Sequence, residues 1–422
     1  MKILIKSVKV VDKHSKWNGQ TVDVQIASGK IEKIAKKISN STYKSYEFKN
    51  ACIAPSFVDM YAVIPEPGFE YRENLQSGLA AAAAGGFSHV AIMPHQQPVV
   101  QDKSSVEFIL SKTKNQICTP LVIAALSRNR EGKDMTEMYD MLLSGAKAFS
   151  DGDKSVQDAG LMSRCLQYAK GINSFVISFA EEQSIALNSK INEGVMSTQL
   201  GMKGNPSLSE ELMISRDLFL AEYHNARIHF TQVSSARSLE LIKAAKKKGI
   251  QVTADVSIHH LIYDEQVLET FDSNFKLRPP LRTKADVNAL RNALKEGVID
   301  AVSSQHIPIE LEGKDVEFEI AKYGMISFQT YFSQLLQLLS KNNTLEDVLE
   351  SASTKPRAIF DLETVVLEEG SIAELCIFDT DKKWQFNESQ NLSKSANSNL
   401  FGTELKGKVL ALIANDQINT NK

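Results

Sequence analysis

The sequence predicts an α/β chain: a (β/α)8 TIM barrel plus a small β-sandwich domain built from both chain ends. Three observations carry this. The first fifty or so residues alternate apolar and polar positions, as in "ILIKSVKVVD" and "TVDVQIASGKIEKIAKKI". The C-terminal stretch does the same, as in "AELCIFDTDKKWQF" and "GKVLALIANDQI". Between them, short apolar runs alternate with longer helical patterns. The expected layout is 1–50 and 365–422 for the β domain, with 51–364 for the barrel.

Eight runs form the expected barrel strands: 51–58, 89–93, 121–126, 146–150, 174–178, 227–231, 250–254 and 298–303. Most are dense in Val, Ile, Ala and Phe with little alternation, as parallel strands buried on both faces are. At the N-terminal end, Ser28-Gly29-Lys30 reads as a hairpin turn. "ENLQSGLAAAAAGGF" is an Ala-rich helix with a stop at Gly85-Gly86, and its Ala80–Ala84 run packs on the barrel. "SARSLELIKAAKKKGI" places Leu239, Leu241, Ile242 and Ala245 on one face and ends at Gly249. A doubly wound sheet is the alternative. Eight units, and no GxGxxG after the first strand, favour the barrel.

With 43% hydrophobic and 23% charged residues, the 422-residue chain falls in the soluble globular class. Its net charge of -3 gives no basic excess for nucleic acid or a membrane surface. The lysines at 246–248 continue a helical pattern and read as a solvated face. The four cysteines form no CxxC pair, and Cys52, Cys118 and Cys376 lie in or beside strand-like runs. Buried free thiols in a reducing cytoplasm are expected. The N-terminus lacks the apolar stretch of a signal peptide, and no run approaches ~18 apolar residues. A cytoplasmic protein without membrane spans is the expectation.

Barrel enzymes carry their chemistry at the C-terminal ends of the strands. The first run is followed by Asp59, Tyr61 and Val63, the second by Pro94, His95 and Gln96. Asp151, Gly152 and Asp153 follow the fourth; Phe179, Glu181 and Glu182 the fifth; Gln232 and Ser234 the sixth. Asp255, His259 and His260 follow the seventh, and Gln305 and His306 the eighth. A catalytic zinc needs about three converging His or carboxylate ligands. The eight histidines contain no HxH or HExxH pair. His259 and His260 are adjacent, and in extended chain such neighbours point to opposite sides. No GxSxG elbow or P-loop occurs. The mouth is polar without a metal constellation.

Several segments follow one family's pattern: "APSFVDM", "EPGFEYRENLQSGLAAAAAGGFSHVAIMP", "SLELIKAAKKKGIQVTADVSIHHL", "PPLRTKAD", "GVIDAVSSQHIP" and "GSIAELCIFD". Through them the sequence resembles the dihydroorotases of the cyclic amidohydrolase superfamily over nearly its whole length. The resemblance implies a metal-dependent-hydrolase barrel, a flanking composite β-sandwich and a binuclear zinc site. Two zinc-binding histidines of the family fall on Tyr61 and Val63. The metal-binding aspartate falls on Gly152, with Asp151 and Asp153 on either side. Two further histidines fall on Phe179 and Gln232, and the catalytic aspartate on Gln305. The family's substrate contacts fall on Pro65, His95, Arg278 and Ile309. His259, His260 and His306 match family histidines that are not ligands. A carbamylated lysine bridges metals in related hydrolases, but Lys147 has no partner ligands beside it.

The expectation is a degenerate member of that family: a pseudoenzyme without metal or other cofactor and without an assigned catalytic residue. Its vestigial pocket would comprise Tyr61, Val63, His95, Asp151, Phe179, Gln232, His259, Arg278, Gln305 and His306. The expected role is that of a structural or regulatory homologue in pyrimidine biosynthesis. Expected partners are aspartate carbamoyltransferase, an active dihydroorotase paralogue, or further copies of the chain. Two alternatives stand beside it. One is an active cyclic amidohydrolase, of the dihydroorotate to N-carbamoyl-aspartate type, with an altered or single-metal site using Asp151, His95, His259 and His306. The other is a metal-free binding module for a pyrimidine intermediate.

Overall fold

The computed structural model describes residues 1–341 and 343–421. Eight parallel strands form the barrel: β1 (Phe57–Ala62), β2 (Phe87–Ile92), β3 (Thr119–Ala124), β4 (Ala148–Phe149), β5 (Val176–Phe179), β6 (Ile228–Thr231), β7 (Val252–Ser257) and β8 (Ala301–Ser303). They pair in sequence order. Just past β8, a bridge between Ala62 and His306 closes the ring, with the Val63 N–H donating to the His306 carbonyl at 2.9 Å. Alternate strand residues sort into two layers, as the period of two requires. Val58, Met60, Ala91, Leu121, Ile123, Ala148, Ile177 and Ala301 form an interior cluster. Phe57, Phe87, Val90, Val122, Phe149 and Val176 face the helices instead.

The register of β1 against β2 slips between Asp59 and Ala62. Such a slip re-aims the side chains beyond it. Tyr61 and Val63 thereby join the interior cluster with Val58 and Met60, although their positions in the chain are of opposite parity. One irregularity in the first strand thus decides which residues reach the mouth.

The helices start and stop where their ends can be satisfied. Asn74 accepts the Ser77 N–H at 2.8 Å at the head of Leu75–Ala84, which ends at Gly85. Ser235 caps Ala236–Lys247, and Gly249 follows with φ +83°, a conformation that suits glycine. Both ends fall where the sequence places them. All four cysteines are free and buried. Among the described residues no helix is long and apolar enough to cross a membrane.

The chain ends meet in a second, mostly antiparallel sheet of eight strands. Leu375–Gln385 pairs with Cys52–Pro55, which lies parallel to Lys2–Val10. Glu404–Ala414 and Gln417–Thr420 extend the sheet on one side, Thr21–Ala27 and Lys30–Ala35 on the other. Lys44–Glu47 also pairs with Lys2–Val10. Ser28 and Gly29 have φ of 50° and 72°, the left-handed pair of a two-residue hairpin turn. The run 51–58, read as one barrel strand, is two strands. Cys52–Pro55 belongs to the terminal sheet, and the barrel begins at Phe57. The switch is at Ser56, whose N–H donates to the Glu374 carbonyl while that of Phe57 donates to Gly86. Both halves are wholly buried, so no change of polarity marks the junction.

Candidate functional site

The loops after the barrel strands surround a cavity of about 520 Å³. Of the sequence-derived pocket residues, Tyr61, Val63, His95 and Arg278 line it. Phe179 lies beneath, its ring centroid 5.6 Å from the Arg278 guanidinium carbon. Asp151, Gln232, His259, Gln305 and His306 are buried and are not part of this lining.

On one wall, His95 Nε2 lies 3.0 Å from Asp153 Oδ1, and Arg130 forms an ion pair with the same carboxylate. Burial alone would raise the Asp153 carboxyl; the charges of His95, Arg130 and Arg278 outweigh it and hold it well below the carboxylate range. Burial, reinforced by Arg130, pulls the His95 imidazole down. His95 Nδ1 is buried without a partner. The Tyr61 ring meets His95 edge-on at 6.4 Å, and its phenol is pushed up by burial and then by the Asp153 charge. Gly152 sits between the two acids at φ +67°, where a Cβ would lie 2.5 Å from His95 Cε1.

Asp151 does not reach the cavity. Its carboxylate accepts the backbone N–H groups of Leu126 at 3.0 Å and Ser127 at 2.9 Å, and the Ser127 hydroxyl. Burial raises its pKa against those bonds. It ties the third strand's loop to the fourth. Lys147 is exposed, outside the barrel interior.

On the opposite wall, Arg278 pairs with Glu181, and the Arg278 carbonyl accepts Gln305 Nε2 at 2.9 Å. Gln232 Nε2 donates to Ser303 Oγ at 2.9 Å. Ser303 Oγ donates to Asp255 Oδ1 at 2.8 Å, and His229 Nε2 lies 2.9 Å from Asp255 Oδ2. Gln232 and Gln305 both have left-handed backbones, with φ of 60° and 51°. Each leaves its side-chain oxygen buried and without a partner. Val63 packs into the interior cluster and Phe179 is buried against Arg278, whereas the two glutamines and His95 leave orphaned polar atoms.

His259 and His260 lie on a short helix, Ile258–Ile262, rather than in extended chain, and both are buried. His260 Nε2 lies 3.1 Å from the Pro279 carbonyl. Neither ring nitrogen of His259 has a partner. His306 stacks on Phe328 at 4.0 Å and accepts the Ser327 N–H at Nδ1. Asp59 turns away from the mouth: it accepts the N–H and hydroxyl of Ser304, and burial raises it to about 7. Sequence reasoning missed Arg130, His229, Lys190 and Tyr323. Arg130 lies in a polar loop with no motif, and His229 lies inside a strand; neither carries a spacing signal. Among the described residues, no three His, Cys, Asp or Glu side chains converge as a metal-binding group.

Comparison with known proteins gives the fold and the family separately. An L-hydantoinase (dihydropyrimidinase) from Arthrobacter aurescens superimposes with a TM-score of 0.86 over 100% of this chain and 96% of its own, at 21% identity. A D-hydantoinase gives 0.82 over 100% and 95%, at 20% identity. These likenesses show the fold. A family model described as dihydro-orotase-like matches residues 51–238. The dihydroorotase of Syntrophus aciditrophicus (strain SB) is 36% identical over 422 residues, 99% of each chain. That of Caldicellulosiruptor saccharolyticus is 37% identical, covering 99% of this chain and 98% of its own. With its barrel, its composite terminal sheet and full-length relatives at this identity, the chain belongs to the dihydroorotase family.

Proposed function

We propose that this chain is a dihydroorotase-like protein of pyrimidine biosynthesis that does not perform metal-dependent hydrolysis and serves as a structural or regulatory homologue. The observation that carries the reading is the fit of His95 against Gly152. The family resemblance puts a metal-binding aspartate at residue 152, and there the His95 ring occupies the space that even a Cβ would need. The other positions fit zinc no better. Val63 and Phe179 have no donor atom. Gln232 and Gln305 direct their amides to Ser303 and to the Arg278 carbonyl. The neighbouring acids cannot replace the missing ligand. Asp151 is consumed by Leu126 and Ser127, and Asp153 by Arg130 and His95. A catalytic zinc requires about three ligands converging on one point, and this donor set does not supply them.

Elemental analysis and a dihydroorotate ring-opening assay on one preparation test the reading. The expected result is sub-stoichiometric zinc and no turnover above a heat-inactivated control. Stoichiometric zinc accompanied by turnover would sink it.

A surface feature supports self-association. The helix Leu208–His224 exposes Leu208, Leu212, Phe219 and Tyr223, with exposures from 47% to 83%. These positions fall on one helical face. About a point between Ser215 and Arg216, Leu208 mirrors Tyr223 and Leu212 mirrors Phe219. A two-fold axis there sets each residue opposite its mirror mate, as an isologous contact requires. We assign this face to a second copy of the chain. Aspartate carbamoyltransferase is the heterologous partner consistent with the pathway, tested by co-purification from native lysate. Its absence from the recovered material would count against it.

A further inference from the structure

We propose that the barrel mouth is an anion-binding pocket centred on Lys190, Lys276 and Arg278, suited to a small ligand bearing a carboxylate or phosphate group. Arg72, Lys190, Lys276, Arg278 and Lys322 line the main cavity, against only Asp153 and Glu319. A second cavity of about 190 Å³ adjoins it, sharing Lys190, Arg278 and Tyr323.

Much of this charge is already answered. Arg72 and Lys322 both pair with Glu310, Arg278 with Glu181, and Asp153 with Arg130 and His95. Two ammonium groups differ. Lys276 is buried and donates to the Phe318 and Glu319 carbonyls at 2.7 and 2.6 Å, which are acceptors without formal charge. Lys190 is half-buried, and among the described residues its ammonium has no acceptor and no ion pair. The two sense each other: burial, then the Lys190 charge, pulls Lys276 down to about 8. Glu319, the lining carboxylate without an ion pair, offsets one of these charges. The other stands in a concave, partly desolvated mouth, where a ligand anion gains more than it would in open water.

Of the pocket's three cations only Arg278 falls on a position where the family resemblance places a substrate contact. The contacts that fall on Pro65 and Ile309 line the same cavity, and neither carries a charge. Lys190 and Lys276 lie outside the family's contact positions, on the segments that follow β5 and β7. Tyr323 ties the two sides together by donating its hydroxyl to the Ser189 carbonyl at 3.1 Å, next to Lys190. An anionic group seated here contacts residues outside the positions expected to hold metal.

The proposal rests on the reading that the hydrolytic site has been rebuilt, and one preparation separates the two. Titration calorimetry at low salt with succinate and with inorganic phosphate probes the carboxylate and phosphate arms. The expected result is saturable binding of one of them at or below about 10 mM. Lys190→Ala should weaken it roughly tenfold or more, and Lys190→Glu should abolish it. Both variants should keep the wild-type melting temperature, because the Lys190 side chain holds no structural bond. Heat with phosphate alone assigns a phosphate ester, and heat with succinate alone a carboxylate. No binding of either anion, or wild-type affinity in Lys190→Ala, would overturn the pocket. Zinc content and ring opening on the same sample bear only on the hydrolytic reading.

Discussion

The His95 ring and the missing side chain of Gly152 occupy one space: a Cβ at residue 152 would lie 2.5 Å from His95 Cε1 and 3.2 Å from an Arg130 guanidinium nitrogen. His95 is held there by Asp153, and Arg130 bridges Asp153 to the Asp151 carbonyl. The arrangement is therefore locked from behind. Gly152→Asp should lower stability by about 2 kcal/mol, from overpacking and from its positive φ. In a His95→Ala background the cost should shrink, because the clash with the imidazole is gone and only the backbone strain and the looser contact with Arg130 remain. Thermal melts of the two single variants and the double variant measure this coupling. Equal costs in both backgrounds would show that the contact does not govern the position.

Acid should unfold this protein through its buried histidines. Burial pulls His89 and His260 down to about 4, and burial, then the charges of His260 and His306, pulls His259 to about 3. Unfolded imidazoles titrate near about 6.5. With folded values below unfolded ones, the stability these groups contribute is complete above about pH 6.5. It is lost as pH falls towards their folded values. The loss is about 3 kcal/mol per histidine at pH 4. His259→Leu should be near neutral at pH 8, since neither ring nitrogen has a partner, and should flatten the acid limb of denaturation. An acid limb unchanged in slope would refute the assignment to His259.

How much of this was legible in the sequence follows from what each feature depends on. Barrel strands announce themselves by continuous apolar runs, and helix stops by Gly85 and Gly249, because those signals are local. The break at Ser56 is silent, since it depends on which neighbour, Glu374 or Gly86, each N–H meets. At the site, motif positions located Tyr61, Val63 and Gln305, while their surroundings stayed hidden. No pattern in the sequence could pair Arg130 with Asp153, or place Lys190 beside Lys276, because long-range charge contacts leave no periodic trace.

The barrel and the terminal sheet are fastened by a buried cation. Arg357 Nη1 lies 2.7 Å from Glu374 Oε2, and Nη2 donates to Ser56 and Ser88 Oγ at 2.9 and 3.0 Å. Ser56 and Glu374 flank the point where the chain leaves the sheet for the barrel. Arg357→Met should cost about 3–5 kcal/mol, because it leaves the Glu374 carboxylate without its counter-charge. Arg357→Met with Glu374→Gln should recover part of that loss. Denaturant unfolding of both variants is the measurement, and a loss below about 1 kcal/mol in the single variant would show that the pair does not hold the junction.

The mirrored face of Leu208–His224 makes a prediction about assembly that is independent of the site. Four large apolar side chains on one exposed stripe form a patch of the kind that soluble monomers rarely leave open. Ser215, small and at the centre of symmetry, allows two such helices to approach closely. Light scattering after gel filtration should give a dimer or a multiple of one, and Leu212→Lys with Phe219→Lys should halve the mass. Each lysine would face the other across the axis, adding like-charge repulsion to lost apolar burial. The variant should keep the wild-type fold by circular dichroism, since both side chains already face solvent within one copy. An unchanged mass in the double variant would move the interface elsewhere on the barrel.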